Sequence, residues 1–81
     1  METRVALISI IINDSKSETV DLLNDTLHQY SEYIIGRMGI PYRPRQIHII
    51  SVAIDAPSDA INALSGKIGK IQGITTKVAY A

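Results

Sequence analysis

The stretch Gln46-Ile47-His48-Ile49-Ile50-Ser51-Val52-Ala53-Ile54-Asp55 is β-branched at five positions, and a turn signal follows it at Ala56-Pro57-Ser58. This is the pattern of a central strand. Side chains alternate across a strand, so one face carries His48, Ile50, Val52 and Ile54 and the other Ile47, Ile49, Ser51 and Ala53. Neither face is polar enough to rest in water. Helices from a chain of 81 residues can cover one side of a small sheet. The second side is then expected to meet another copy of the chain or a ligand.

The flanking segments supply the rest of such a sheet. Arg4 to Ile12 reads as a first strand, again apolar on both faces, with Val5, Leu7 and Ile11 against Ala6, Ile8, Ile10 and Ile12. Ser15-Lys16-Ser17-Glu18 fits a capping box, the Ser15 hydroxyl accepting from the Glu18 N–H and the Glu18 carboxylate reaching back. A helix follows, with Val20, Leu23, Leu27 and Tyr30 on its apolar side and Asp21, Asp25 and His28 on the other. Glu32 to Met38 is expected to form a short second strand. Gly39, Pro41 and Pro44 break what comes next into a loop or extended arm. Beyond the central strand, Pro57 and Ser58 open a second helix whose Ile61, Leu64, Ile68 and Ile71 repeat the spacing of the first, with Lys67 and Lys70 complementing the dipole at its end. Gly73 marks the stop. Ile74, Thr76, Val78 and Tyr80 then alternate with Thr75, Lys77 and Ala79 in a last strand whose Lys77 suits an edge.

The order β-α-β-β-α-β makes this an α+β chain, one domain over residues 1–81. It is the ferredoxin-like arrangement, a four-stranded antiparallel sheet with two helices on one face. Right-handed crossovers place the first and third strands in the middle, which agrees with their apolar character. So short a chain buries only roughly 60–65% of its unfolded surface, so association would thicken a thin core. The bare face, with Ile47 and Ile49 as candidate interface residues, is expected to build a homodimer or tetramer.

Composition removes several classes of function. No cysteine is present, which excludes disulfides, zinc fingers, iron–sulfur clusters and thiol nucleophiles. Eight basic and eight acidic side chains cancel, so neither direct nucleic-acid binding nor attachment to an anionic membrane is expected. The apolar run from Val5 to Ile12 is too short to span a bilayer, and no cleavage pattern follows it, so the protein is expected in the cytoplasm. No serine sits in a nucleophile elbow and no glycine pattern matches a phosphate or dinucleotide loop. The chain is read as a non-enzyme.

Two constellations remain. His28 and His48 are the only histidines; a transition metal needs three or four converging ligands. His48 is therefore expected to be a half-buried strand histidine with a hydrogen-bond partner, and His28 a solvated one. A metal-sensing site built on His48 across subunits is the alternative, and no resident metal or cofactor is assigned. Gly36-Arg37-Met38-Gly39-Ile40-Pro41-Tyr42-Arg43 gathers two guanidinium groups, a phenol and two glycines. Guanidinium suits bidentate recognition of carboxylate or phosphate, and glycine lets a ligand approach the backbone. Arg37, Tyr42 and Arg43 are the candidate contacts to a small anionic effector. The other reading is an arm that packs over the sheet or a neighbouring subunit, in a structural protein without a ligand.

Glu32-Tyr33-Ile34-Ile35-Gly36-Arg37-Met38-Gly39-Ile40-Pro41-Tyr42-Arg43, with Ile49-Ile50-Ser51-Val52 running into Asp55-Ala56-Pro57 and with Ala63-Leu64-Ser65-Gly66-Lys67-Ile68-Gly69, resembles a family of short proteins of anaerobic bacteria described as regulators of the iron-only hydrogenase system. The resemblance covers nearly the whole chain. It implies an ACT-like domain that associates through its sheets and a regulatory role, transcriptional by description, with a regulatory protein as partner. More distantly, the chain is similar to the C-terminal ligand-sensing domain of the nickel-responsive repressor. That domain holds nickel with histidines and a cysteine, a set this sequence lacks, so nickel binding is not carried over. Its ribbon–helix–helix arm has no counterpart before a strand that begins almost at Met1, so regulation of transcription is expected to pass through a partner. Gln72-Gly73-Ile74 resembles the helix-to-strand turn of ACT domains, which bind amino acids or other small effectors at subunit interfaces.

Overall fold

A computed structural model of the chain describes residues 2–14 and 16–81. The elements run β1 (Arg4–Ile12), α1 (Ser17–His28), a 3-10 turn (Ser31–Tyr33), β2 (Ile34–Tyr42), a second 3-10 turn (Arg43–Arg45), β3 (Ile47–Ala56), α2 (Ser58–Gly69) and β4 (Ile74–Tyr80). The strands form one sheet in the order β2-β3-β1-β4, each neighbouring pair antiparallel. The two most apolar strands are thus the inner ones, as their sequences require.

Alternation decides which residues form the core. In β1, Ala6, Ile8, Ile10 and Ile12 are buried, and in β3 Ile50, Val52, Ile54 and Ala56 join them. Ile8 lies opposite Val52 on one side and Val78 on the other. The helices cover this face, α1 contributing Leu23 and Leu27 and α2 contributing Ile61, Leu64 and Ile68. Val20 and Tyr30 flank the same cluster. Thr19 is buried as well, although nothing in its spacing marked it. Ile71 falls beyond the end of α2 and is only half-buried, so the apolar repeat of that helix stops one turn earlier than the sequence suggested.

The capping box assigned to Ser15 lies outside the described residues. At the start of α1, Lys16 occupies the cap position, and the Asp14 carboxylate accepts from its N–H at 3.2 Å. The second strand departs further from expectation. It does not end at Met38 but runs from Ile34 through Gly39 and Pro41 to Tyr42, with a bulge between Ile34 and Gly36, and Glu32 belongs to the preceding 3-10 turn. β2 is an edge strand, and an edge is where a sheet tolerates a residue without an N–H. The expected loop is therefore the outer half of a long hairpin with β3.

At the other edge, β4 is tied down by side chains. The Tyr80 hydroxyl donates to Asn62 Oδ1 of α2 at 2.6 Å, and the Arg4 guanidinium stands 4.2 Å from the centre of the Tyr80 ring. No helix among the described residues is long and apolar enough to cross a membrane.

Candidate functional site

The hairpin end is built from the residues that carried the functional expectation. Tyr42 closes β2, Arg43-Pro44-Arg45 make the 3-10 turn, and Gln46 returns the chain with φ 55°, a left-handed conformation unusual for a side chain other than glycine. From Tyr33 to Ile54 the sequence contains no acidic residue. The positive charges of Arg37, Arg43 and Arg45 therefore have no acidic neighbour along the hairpin.

Pairing places the candidate residues on two sides of β2. Tyr42 lies opposite Ile47, and Arg37 opposite Val52, whose side chain is buried beneath the helices. Tyr42 and Arg43 share an open depression of about 550 Å³ with Pro41, Gln46, Ile47 and His48. Arg37 does not line it. Instead, Arg37 lines a cleft of about 260 Å³ at the flank of α1, where Asn24, Leu23, Ile50 and His48 also contribute. Its Nη1 donates to Asn24 Oδ1 at 3.2 Å. The structure thus separates Arg37 from the other two candidates and joins it to Asn24, a residue the sequence reading passed over. Asn24 sits at the boundary between the apolar and acidic sides of α1, and it became visible as a partner only when β2 was laid alongside.

His48 links the two depressions, since both are lined by it and by Pro41. It is half-buried, as expected, but its Nδ1 is buried without a hydrogen-bond partner among the described residues. The expected partner is absent because His48 lies between Ile12 and Pro41 in the sheet, neighbours with no polar side chain to offer. Buried polar groups normally have partners, so this nitrogen is conspicuous. Among the described residues, no three His, Cys, Asp or Glu side chains converge on a point. His28 is exposed on the outer side of α1.

The candidate interface residues lie on the face away from the helices. Ile49 is 41% exposed and lies in a row with Ile40 on β2 and Ile11 and Thr75 on its other side. Ile47 is half-buried beside Tyr42. Val5, Leu7, Ile11, Met38, Ile40 and Tyr42 are exposed too.

A sequence model of the TM1266-like family, described provisionally as regulators of the iron-only hydrogenase system, matches residues 4–78. No curated protein matches the chain. Among solved structures, protein TM1266 of Thermotoga maritima superposes with a TM-score of 0.94 at 33% identity, over 98% of each chain. The ACT domain of the GTP pyrophosphokinase of Chlorobium tepidum gives 0.77 at 18% identity, over 98% of this chain and 99% of that one. A formyltetrahydrofolate deformylase of Pseudomonas putida gives 0.66 at 16% identity, over 93% of this chain and 28% of the enzyme. The last two likenesses concern the fold alone.

Proposed function

Because the chain belongs to the TM1266-like family, described provisionally as regulators of the iron-only hydrogenase system, we propose that it is a regulatory module without catalytic activity that works in the cytoplasm. In this reading it assembles with copies of itself through the open sheet face and responds to a small anionic effector at the hairpin end. Arg37 contacts the effector in the cleft beside α1, and Tyr42 and Arg43 line the adjoining depression at the hairpin end. The observation that carries the reading is a sheet face bearing Leu7, Ile11, Ile40 and Ile49 in the open, in a chain of a family described as regulators. An apolar patch of this extent marks an interaction surface.

Native mass spectrometry of gently purified protein tests both halves in one spectrum. The expected result is a multiple of the 8.9 kDa chain with an additional small mass retained. A monomer would remove the assembly, and a clean oligomer would move the role from effector sensing to docking a regulatory protein. Where a compound is retained, joint replacement of Arg37, Tyr42 and Arg43 by alanine should abolish the rise in melting temperature that the compound produces and leave the oligomer's mass unchanged. Loss of the oligomer in that variant would instead make the hairpin end an intersubunit arm.

A further inference from the structure

We propose that the cleft between α1 and the hairpin is a binding site for a short aliphatic carboxylate that carries no amino group. The inference rests on the effector reading above and names the class of compound. Three observations define that class. First, the cleft holds about 260 Å³, below the roughly 300–1,000 Å³ of pockets for larger organic ligands. Its occupant has only a few carbons. Second, the interior is apolar, with Leu23 and Ile50 at its base and Val20 beside them, so a hydrocarbon chain displaces water there favourably.

Third, the polar groups are of one kind. The guanidinium of Arg37 is held at Nη1 by the neutral oxygen of Asn24, 3.2 Å away. That bond orients the fork without neutralising it. The guanidinium has five N–H donors in a fixed geometry that matches a carboxylate. His48 lines the cleft as well, but its Nδ1 is buried and without a partner among the described residues, so the guanidinium of Arg37 is the charged group that faces a ligand. Neither Asp nor Glu lines the cleft. An α-ammonium group would therefore be desolvated with no anion to meet it, and this separates the site's preference from that for an amino acid.

The test uses the full chain and three probes of similar shape: 4-methylpentanoate, leucine and the neutral 4-methylpentanamide. In a nitrogen–proton NMR titration, 4-methylpentanoate should give saturable shifts centred on the amides of Asn24, Gly39 and Ile50. The amide, which loses the charged contact, and leucine, whose ammonium would be desolvated, should each bind at least about tenfold more weakly. Arg37→Gln should weaken 4-methylpentanoate by about tenfold or more, while Arg45→Gln, outside the cleft, leaves it unchanged. The proposal is overturned if the carboxylate gives no saturable shift, if leucine binds equally well, or if Arg37→Gln has no effect. A compound retained from cells that the Arg37→Gln protein still holds would leave the effector reading standing and remove this site. The probe comparison is made on the unaltered protein, so it decides the matter even if the variant folds poorly.

Discussion

Gly73 shows how one residue ties the two halves of the fold. It turns the chain from α2 into β4 at φ 88°, its carbonyl accepts from the Asn13 N–H at 2.7 Å, and the Asn13 amide donates to Thr75 Oγ1 at 2.9 Å. A side chain there has two costs. The left-handed backbone is unfavourable for any L residue with a Cβ, by roughly 1–2 kcal/mol. A Cβ would also lie 2.9 Å from Asp14 Cγ, forcing away a carboxylate that accepts from the Lys16 N–H. Gly73→Ala should therefore lose about 1–3 kcal/mol in urea denaturation, and Asp14→Ala should make the second loss smaller when the two are combined. A double variant whose losses simply add would show that the Asp14 contact contributes nothing. The sequence marked Gly73 as a stop because glycine punctuates helices. It could not show Asp14 beside it, since that contact depends on the register of β4 against β1. The His48 nitrogen without a partner among the described residues escaped for a related reason: periodicity assigns a side chain to a face but does not say what its neighbours offer.

At the level of elements, β1 and β4 were legible to the residue, β1 as an apolar run that stops at Asn13-Asp14 and β4 by its alternation after Gly73. β2 was not. Its glycines and Pro41 weigh against a strand by local preference, yet pairing with the strongly β-forming β3 carries the segment on to Tyr42. Tertiary pairing overrode propensity where the edge position made it inexpensive. The same contrast sets an energetic expectation. Ile10 is fully buried between β3 and β4, whereas Met38 on β2 is 66% exposed. Ile10→Ala should cost about 2–5 kcal/mol. Met38→Ala should stay within about 0.5 kcal/mol when introduced into an Ile49→Asp background, which the proposed assembly predicts to be monomeric. Urea titration of the two variants checks this, and a large loss from Met38→Ala in the monomer would mean that β2 carries core packing its exposure does not reveal.

The molecule as a whole measures 42 × 19 × 17 Å, long because the hairpin runs along it and thin because only one face of the sheet is covered. That both faces of the central strand are apolar was readable from its residues, and so was the number of helices available. How the side chains of the open face line up across four strands was not, because that depends on the registers between strands. Strands of nine residues at about 3.4 Å each, four abreast at about 4.8 Å, present roughly 600 Å² in projection, and side chains in relief add to it. This approaches the roughly 800 Å² per partner of a stable interface. Across the face, a polar row of Ser51, Ser9 and Lys77 divides an isoleucine patch at Ile40, Ile49 and Ile11 from a smaller one at Ala53, Leu7 and Ala79. A charge placed in the isoleucine patch would be buried without a partner in any face-to-face assembly, a cost of several kcal/mol. Ile49→Asp should accordingly reduce the mass in solution to that of the 8.9 kDa chain. Leu22→Asp supplies the control, because Leu22 is 54% exposed on α1 and its replacement removes a comparable apolar side chain from the opposite side of the molecule. Light scattering that finds both variants monomeric would assign association to the helices or to general hydrophobicity, and an Ile49→Asp protein of unchanged mass would end the case for the open face.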